Sequence, residues 1–234
     1  MILLIIGSII YLISIILAFI PPLRYLFMPI LYNYNHLLFG FHKPIIKDYR
    51  TYKHDSKIIV FQHNSYYDLF ALGAFFKEHN ITGIIYDDFL KIPIIGTIFK
   101  KFNLIFINKS DKNNSQKIID YIDNPKNTKY IGIAPAGDKG TVEDPIGSFK
   151  TGAFTPMKPV TPVLIRYKDN KGTWFNKNIK SWSFDIFRFR KFYQYELIIL
   201  EEITAEGCKT PREFADKVEK YMKDANNQMK PPMT

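Results

Sequence analysis

The strongest constraint on the fold is a change of pattern at Lys57, where short β-branched runs begin to alternate with longer helical segments. Strands are predicted at 58–62, 82–86, 104–107, 130–134, 161–167 and 195–200. Helices are predicted at 66–78, 88–101, 111–122 and 210–223. Because strands that alternate with helices form βαβ units, this order predicts an α/β fold with a central mixed, largely parallel sheet flanked by helices.

The last predicted helix has a clear start signal. Thr210 is the expected cap, Pro211 occupies the first helical position, and Glu213 follows three residues after the cap. The chain of 234 residues is long enough for one such α/β domain. We therefore predict a membrane-anchoring helical segment over 1–42, an α/β domain over 43–228 and a tail over 229–234.

The first 20 residues contain no charged side chain. A helix of that length spans about 30 Å, which is the thickness of the hydrocarbon core of a bilayer. This pattern predicts a membrane helix, with a buried core helix as the alternative because Ser8, Tyr11 and Ser14 moderate the apolar character. A second apolar stretch over 23–41 predicts a helix that either spans the membrane or lies flat at its interface.

The charge balance favours an anionic partner. The 32 basic residues outnumber the 22 acidic ones, which gives a net charge of +10. The apolar N-terminal run favours a lipid surface over nucleic acid, and no nucleic-acid partner is expected. Basic residues follow the apolar run, so the positive-inside rule predicts that the α/β domain lies on the cytoplasmic side of the membrane. These residues are Arg24, Lys43, Lys47, Arg50, Lys53 and Lys57, with only Asp48 and Asp55 opposing them.

A histidine and a carboxylate follow the first predicted strand of the domain. His63 comes directly after the strand and Asp68 five residues later. With His63 in the turn and Asp68 in the first turns of the next helix, the carboxylate can reach back to one ring nitrogen. The other nitrogen can then take a proton from an alcohol that attacks a thioester, which requires no nucleophile from the enzyme. Two unrelated polar residues remain the alternative interpretation of this pair alone.

Four segments in order resemble the glycerolipid acyltransferase family, whose founding members acylate lysophosphatidic acid. The first segment, His63-Asn64-Ser65-Tyr66-Tyr67-Asp68, matches the family's histidine, four residues and aspartate. The second comprises Lys91-Ile92-Pro93-Ile94-Ile95-Gly96 and the run from Leu104 to Ser110. It has Asn108-Lys109 where the family usually has Asp-Arg.

The third segment departs further from the family pattern. The family reads Phe-Pro-Glu-Gly-Thr-Arg, whereas this chain reads Ala134-Pro135-Ala136-Gly137-Asp138-Lys139. Ala136 therefore replaces a glutamate that the family uses in acceptor binding, so that carboxylate would come from Asp138, from Glu143 or from no residue. The following Phe149-Lys150-Thr151-Gly152-Ala153-Phe154 matches closely, and Lys158-Pro159-Val160-Thr161-Pro162-Val163 resembles the fourth segment.

The resemblance implies an acyltransferase with His63 and Asp68 as its catalytic pair. It implies acyl-CoA or acyl carrier protein as donor and a lysophospholipid as acceptor, with lysophosphatidic acid giving phosphatidic acid. No metal or prosthetic group is implied as a cofactor. The residues implied to bind the substrates are Asn64, Ser65, Lys109, Gly137, Asp138, Lys139 and Lys150, with Lys109 and Lys139 holding the phosphate.

Three other functions stay open at the level of sequence, and one of them, a membrane-bound nucleic-acid binder, lacks any recognisable reading motif. A catalytically impaired adaptor that binds lipid or acyl-CoA would explain Ala136 and Asn108. A serine hydrolase would use Ser65 or Ser148, although neither lies in a Gly-x-Ser-x-Gly turn. Cys208 is the only cysteine, so an intrachain disulfide is excluded, and its polar surroundings argue against a nucleophile.

Overall fold

The computed structural model describes most of the α/β region. The described ranges are 45–51, 56–65, 81–91, 104–108, 110–111, 113–124, 130–137, 140–141, 143–167 and 195–229, together with single residues 9, 13, 68 and 72.

In the described part of the chain, seven strands form one sheet. They are β1 (Ile45–Asp48), β2 (Ile58–Phe61), β3 (Ile81–Tyr86), β4 (Ile105–Ile107), β5 (Tyr130–Ile133), β6 (Val160–Tyr167) and β7 (Tyr195–Ile199). Their order across the sheet is β1-β7-β6-β2-β5-β3-β4. All neighbouring pairs are parallel except β6 and β7. The predicted mixed, largely parallel sheet is therefore confirmed.

Strand β2 lies at the centre of the sheet and is buried on both faces. Ile58 and Val60 pack into one apolar cluster, while Ile59 and Phe61 pack into another on the opposite face. Successive side chains of a strand point to opposite faces, so an unbroken apolar run is the pattern of a strand covered on both sides. This burial fixes the position of the residues that follow Phe61.

Among the described residues, two α-helices pack on the face of the sheet to which Ile58 and Val60 point. Helix α1 (Asn114–Asp123) buries Ile118 and Ile122, and helix α2 (Pro211–Gln228) buries Phe214, Ala215, Val218 and Met222. The side chain of Thr210 accepts a hydrogen bond from Glu213 N, and proline occupies the first turn, as the sequence predicts. Short 3₁₀ helices cover Asp87–Lys91 and Thr151–Ala153.

The six predicted strands are confirmed, and each differs from its predicted bounds by one residue at one end. Strand β1 is not predicted, because its four residues are all exposed and two of them, Lys47 and Asp48, are charged. Such an edge strand lacks an alternating or buried apolar pattern. In the predicted helix over 66–78, Asp68 and Leu72 are helical and the other residues lie outside the described ranges. The predicted helix over 88–101 begins as the 3₁₀ helix, and 92–101 are not described.

The predicted membrane segments over 1–20 and 23–41 lie outside the described residues, apart from Ile9 and Ile13, which are helical and exposed. Within the described ranges, no helix is both long enough and apolar enough to cross a bilayer.

Candidate active site

The carboxyl ends of five strands meet at one edge of the sheet. Strands β2, β3, β4, β5 and β6 run in the same direction, so the segments that follow them leave from this edge. These segments contain the first three motifs of the sequence. Open α/β sheets bind their ligands at such an edge. The topology therefore brings the motifs to one side of the molecule.

His63 and Asp68 form a hydrogen-bonded pair at this edge. His63 Nδ1 lies 3.0 Å from Asp68 Oδ2. The Asp68 side chain is fully buried, whereas the His63 side chain is 28% exposed. Asp68 Oδ2 also accepts hydrogen bonds from the backbone N–H groups of Asn64 at 2.7 Å and Ser65 at 2.9 Å. The turn that carries His63 is thus built around the carboxylate.

The second oxygen of Asp68 is bonded from a different part of the chain. The hydroxyl of Tyr167, at the end of β6, donates to Asp68 Oδ1 at 2.6 Å. Burial, and then the nearby Asp68 carboxylate, raise the pKa of Tyr167 well above its ordinary value, so this hydroxyl keeps its proton. The side chain of Ser65 hydrogen-bonds to the same hydroxyl. Burial also raises the pKa of the neighbouring Tyr195.

This arrangement defines what His63 can do. A carboxylate bonded to Nδ1 favours the tautomer with its proton on Nδ1, which leaves the lone pair of the ring on Nε2. The carboxylate also stabilises the imidazolium that forms when Nε2 takes a proton. The ring of Phe61 packs edge-on against His63, with centroids 6.1 Å apart, and restricts its orientation. The pair can therefore act as an oriented general base.

The loop after β5 passes directly beside the histidine turn. Gly137 has a φ of +66°, a conformation that favours glycine, and its N–H donates to Ala134 O at 3.0 Å. Further along, a Cβ on Gly140 would lie 2.6 Å from Asn64 Oδ1 and 2.7 Å from Pro145 O. Asn64 Oδ1 is buried and has no hydrogen-bond partner within the described part of the chain. The third motif thus packs against the residue that follows His63.

Replacing Gly140 with alanine should displace this loop. The added Cβ would clash with the carbonyl oxygen of Pro145 and with Asn64, and the backbone contact cannot be relieved by a side-chain rotation. A displacement of about 1 Å near reacting groups can cost about 100-fold in rate. We expect kcat/KM to fall by about 10- to 100-fold in a steady-state assay. Gly152→Ala is the matched control, because the nearest atom to its Cβ lies 4.0 Å away. Equal rates for both variants would contradict this interpretation.

Helix α2 holds the far end of the same loop. Glu219 Oε2 accepts from Phe149 N at 2.7 Å, and Arg212 Nη1 donates to Phe149 O at 2.9 Å. Lys223 pairs with Asp144 at 2.8 Å and with Glu219 at 2.9 Å. The hydrogen bonds to Asp144 and then to Glu219 raise the pKa of Lys223. The C-terminal helix therefore braces the loop that lies beside His63.

The other predicted site residues are placed as follows. Lys150 has an exposed side chain, and its backbone N–H donates to Pro135 O at 3.1 Å. Lys109, Asp138 and Lys139 lie outside the described residues. Ala136, at the position of the family's glutamate, is 2% exposed and packs in the apolar cluster with Ile58 and Val60.

Asn108 closes the turn after β4. Its Oδ1 accepts from Ser110 N at 2.9 Å, and its Nδ2 donates to Asp87 at 2.8 Å. Its carbonyl accepts from Asn114 Nδ2. An amide at this position supplies both a donor and an acceptor, which an aspartate could not. Asn108 thus has a structural role in the turn that precedes Lys109.

No local sequence pattern predicts the roles of Tyr167, Arg212 and Glu219. Each contacts Asp68 or the loop after β5 from a distant part of the chain. The only available signal was the position of Tyr167 at the carboxyl end of a buried strand. Within the described ranges, no group of three or more His, Cys, Asp or Glu side chains could hold a metal ion.

Comparison with protein families gives one match at this region. The sequence model described as "Acyltransferase" matches residues 45–166, which run from the start of β1 to the penultimate residue of β6. The matched range contains His63, Asp68 and the loop after β5. It ends one residue before Tyr167.

Curated relatives match a longer part of the chain. Lysophosphatidylcholine acyltransferase 1 of Homo sapiens is 26% identical over 196 residues, covering 80% of this chain and 36% of the relative. Lysophospholipid acyltransferase LPCAT4 of Xenopus tropicalis is 27% identical over 145 residues, covering 58% of this chain and 28% of the relative. The chain thus spans about a third of the length of the relatives that it matches.

A solved structure shares the fold. The crystal structure of the 1-acyl-sn-glycerophosphate (LPA) acyltransferase PlsC from Thermotoga maritima aligns with a TM-score of 0.58 and 16% sequence identity. The alignment covers 99% of both chains. It confirms the α/β architecture.

Proposed function

Because the chain belongs to the acyltransferase family, we propose that it transfers a fatty acyl group from a thioester donor to the free hydroxyl of a lysophospholipid. The single observation that carries this proposal is the His63–Asp68 pair, in which a buried carboxylate bonds Nδ1 of a partly exposed histidine. The names of the relatives support the reaction class, since those proteins are lysophospholipid acyltransferases.

In the proposed reaction, His63 is the general base. Its Nε2 accepts the proton of the acceptor hydroxyl while the hydroxyl oxygen attacks the thioester carbonyl carbon. The new C–O ester bond forms and the C–S bond breaks. The leaving thiolate then takes the proton from the imidazolium, so His63 returns to its starting state. Asp68 stabilises the imidazolium between these steps.

The acceptor that we propose first is lysophosphatidic acid, which gives phosphatidic acid. The net charge of +10 supports an anionic acceptor. Lys109 and Lys139 are proposed to hold its phosphate. The other proposed substrate contacts are Asn64, Ser65, Gly137, Asp138 and Lys150. Asn64 supports such a contact, because it directly follows His63 and its buried Oδ1 has no hydrogen-bond donor among the described residues.

A second acceptor follows from two observations. The curated relatives include a lysophosphatidylcholine acyltransferase. In addition, Ala136 is buried among apolar side chains, so its position offers no carboxylate to the acceptor. Lysophosphatidylcholine is therefore the alternative acceptor that the assay must include.

We further propose that the protein acts at a membrane surface, with its donor being acyl-CoA or acyl carrier protein. The uncharged run over 1–20 supports an N-terminal anchor, either spanning or interfacial. The basic residues that follow it support a cytoplasmic catalytic domain.

The proposal is tested by product analysis. Purified protein in detergent is supplied with isotopically labelled long-chain acyl-CoA and, in separate reactions, lysophosphatidic acid, lysophosphatidylcholine or lysophosphatidylethanolamine. We expect labelled phosphatidic acid as the main product. Labelled phosphatidylcholine instead would change the acceptor but keep the reaction. Binding of acyl-CoA without any labelled phospholipid, with acyl carrier protein as donor also tried, would refute the enzyme and favour a lipid-binding adaptor.

A further inference from the structure

We propose that Tyr167 is a positioning residue for the catalytic pair, holding the Asp68 carboxylate in the orientation that serves His63. This inference deepens the proposed function and rests on it. It concerns a residue that ends strand β6, far along the sequence from the histidine turn.

The two oxygens of Asp68 have different sources of support. Oδ2 is bonded by His63 Nδ1 and by the backbone N–H groups of Asn64 and Ser65, all from the same short turn. Oδ1 accepts its hydrogen bond from Tyr167, 99 residues away in sequence. Bonds to Oδ2 alone would let the carboxylate pivot about that oxygen. The bond to Oδ1 fixes the plane of the carboxylate relative to the imidazole ring.

The support for Tyr167 is itself rigid. Strands β6 and β2 are adjacent, with Phe61 paired with Val163, so the tyrosine and the histidine turn extend from the same part of the sheet. The ring of Tyr167 packs against that of Tyr195 with centroids 6.0 Å apart. Ser65 bonds the Tyr167 hydroxyl and thereby helps to direct its O–H toward Asp68. A chain of hydrogen bonds thus runs from Ser65 through Tyr167 and Asp68 to His63.

The charged and titratable groups around this chain limit what can change with pH. His63 contacts Asp68 from the turn after β2, and Tyr167 contacts it from β6. Tyr195, on β7, packs against Tyr167. Arg166 and Glu196 precede and follow these tyrosines, so they point to the opposite face of the sheet, where their side chains lie 3.8 Å apart.

Removing the Tyr167 hydroxyl should therefore affect catalysis in a recognisable way. In Tyr167→Phe, Oδ1 of a fully buried carboxylate loses its donor, so the pair binds a proton more readily. We expect kcat to fall about 10-fold, which is the size expected for one hydrogen bond to a charged group. KM should change little, because the hydroxyl is buried behind Asp68. The acidic limb of the pH–rate profile should move to higher pH.

The test compares the wild type, Tyr167→Phe and Tyr195→Phe. Tyr195→Phe removes a buried hydroxyl of the same kind that does not donate to Asp68. Each protein is measured for kcat and KM across pH, for thermal unfolding, and for the pH midpoint of the His63 imidazole signals by ¹⁵N NMR, assigned with His63→Asn. We expect the lower kcat and the upward shift of the acidic limb and NMR midpoint in Tyr167→Phe only.

Two outcomes would overturn the positioning role. Tyr167→Phe could lose thermal stability while its kcat, acidic limb and NMR midpoint stay as in the wild type, which would make the bond purely structural. Alternatively, both variants could shift equally, which would make the effect one of general packing. If the wild type transfers no acyl group, the NMR midpoint still tests Tyr167, and only the proposed function fails.

Discussion

Replacing His63 with alanine should lower kcat for acyl transfer by about 10³-fold without unfolding the protein. A positioned general base contributes between about 10² and 10⁴ to a rate. The loss should exceed the lower end of this range, since the buried Asp68 assists only through the imidazole. The measurement is acceptor-dependent release of free thiol from acyl-CoA, with the temperature of unfolding recorded for the same preparations.

Ser148→Ala is the matched control for His63→Ala. Ser148 is exposed in the loop that α2 braces, and it is one of the serines that a hydrolase mechanism would use. We expect its rate to equal that of the wild type. A large loss in Ser148→Ala together with full activity in His63→Ala would contradict the assignment of the base and favour a serine nucleophile.

Replacing Asp68 with asparagine should reduce kcat by about 10² to 10⁴-fold. The analogous substitution in serine proteases leaves the geometry intact but places the wrong tautomer of histidine in the site. Here the amide would also present an N–H to groups that donate, namely the backbone of Asn64 and Ser65 or the hydroxyl of Tyr167. The rate loss is measured by steady-state kinetics, with thermal unfolding to follow the expected loss of stability.

The control for this variant is Asp216→Asn. Asp216 is an exposed carboxylate on α2 that pairs with Arg212 four residues earlier. Exposed pairs of this kind contribute at most about 1 kcal/mol, so neither rate nor stability should change much. An Asp68→Asn protein that is folded and retains wild-type kcat would show that the carboxylate is only structural.

Much of the fold could be predicted from sequence because its central strands are buried on both faces. Ile58–Phe61 forms an unbroken apolar run, and each of its side chains packs into one cluster or the other. Strand β1 could not be found this way. It is paired only with β7 at the edge of the sheet, and its side chains are exposed. Its pairing with β7 is a long-range contact that leaves no pattern in the local sequence.

In the candidate site, too, the local contacts could be predicted from sequence and the long-range contacts could not. The spacing of His63 and Asp68 predicts a turn in which the carboxylate reaches back, and the structure has this contact. The contributions of Tyr167 and of α2 depend on which strands are neighbours. Tyr167 lies 99 residues from Asp68 in sequence, and α2 contacts the loop after β5 from the C-terminal part of the chain. Local sequence patterns do not predict the order of the strands that brings these parts together.

The structure gives a physical reason for alanine at position 136, where the family usually has glutamate. Ala136 follows a buried proline and packs against apolar residues, so the backbone of this loop continues the core. With no carboxylate at this position, the acceptor contacts that we propose in this motif are Gly137, Asp138 and Lys139. This is why acceptor identity has to be measured directly.

The proposed acyl transfer with His63 as its base is tested most directly by measuring thiol release from long-chain acyl-CoA. The wild-type protein and His63→Ala are compared with and without lysophospholipid. If the protein transfers acyl groups with His63 as the general base, thiol release depends on the acceptor, matches the phospholipid formed and disappears in the variant. Release that is equal with and without acceptor, or that persists undiminished in folded His63→Ala, would contradict the proposed reaction.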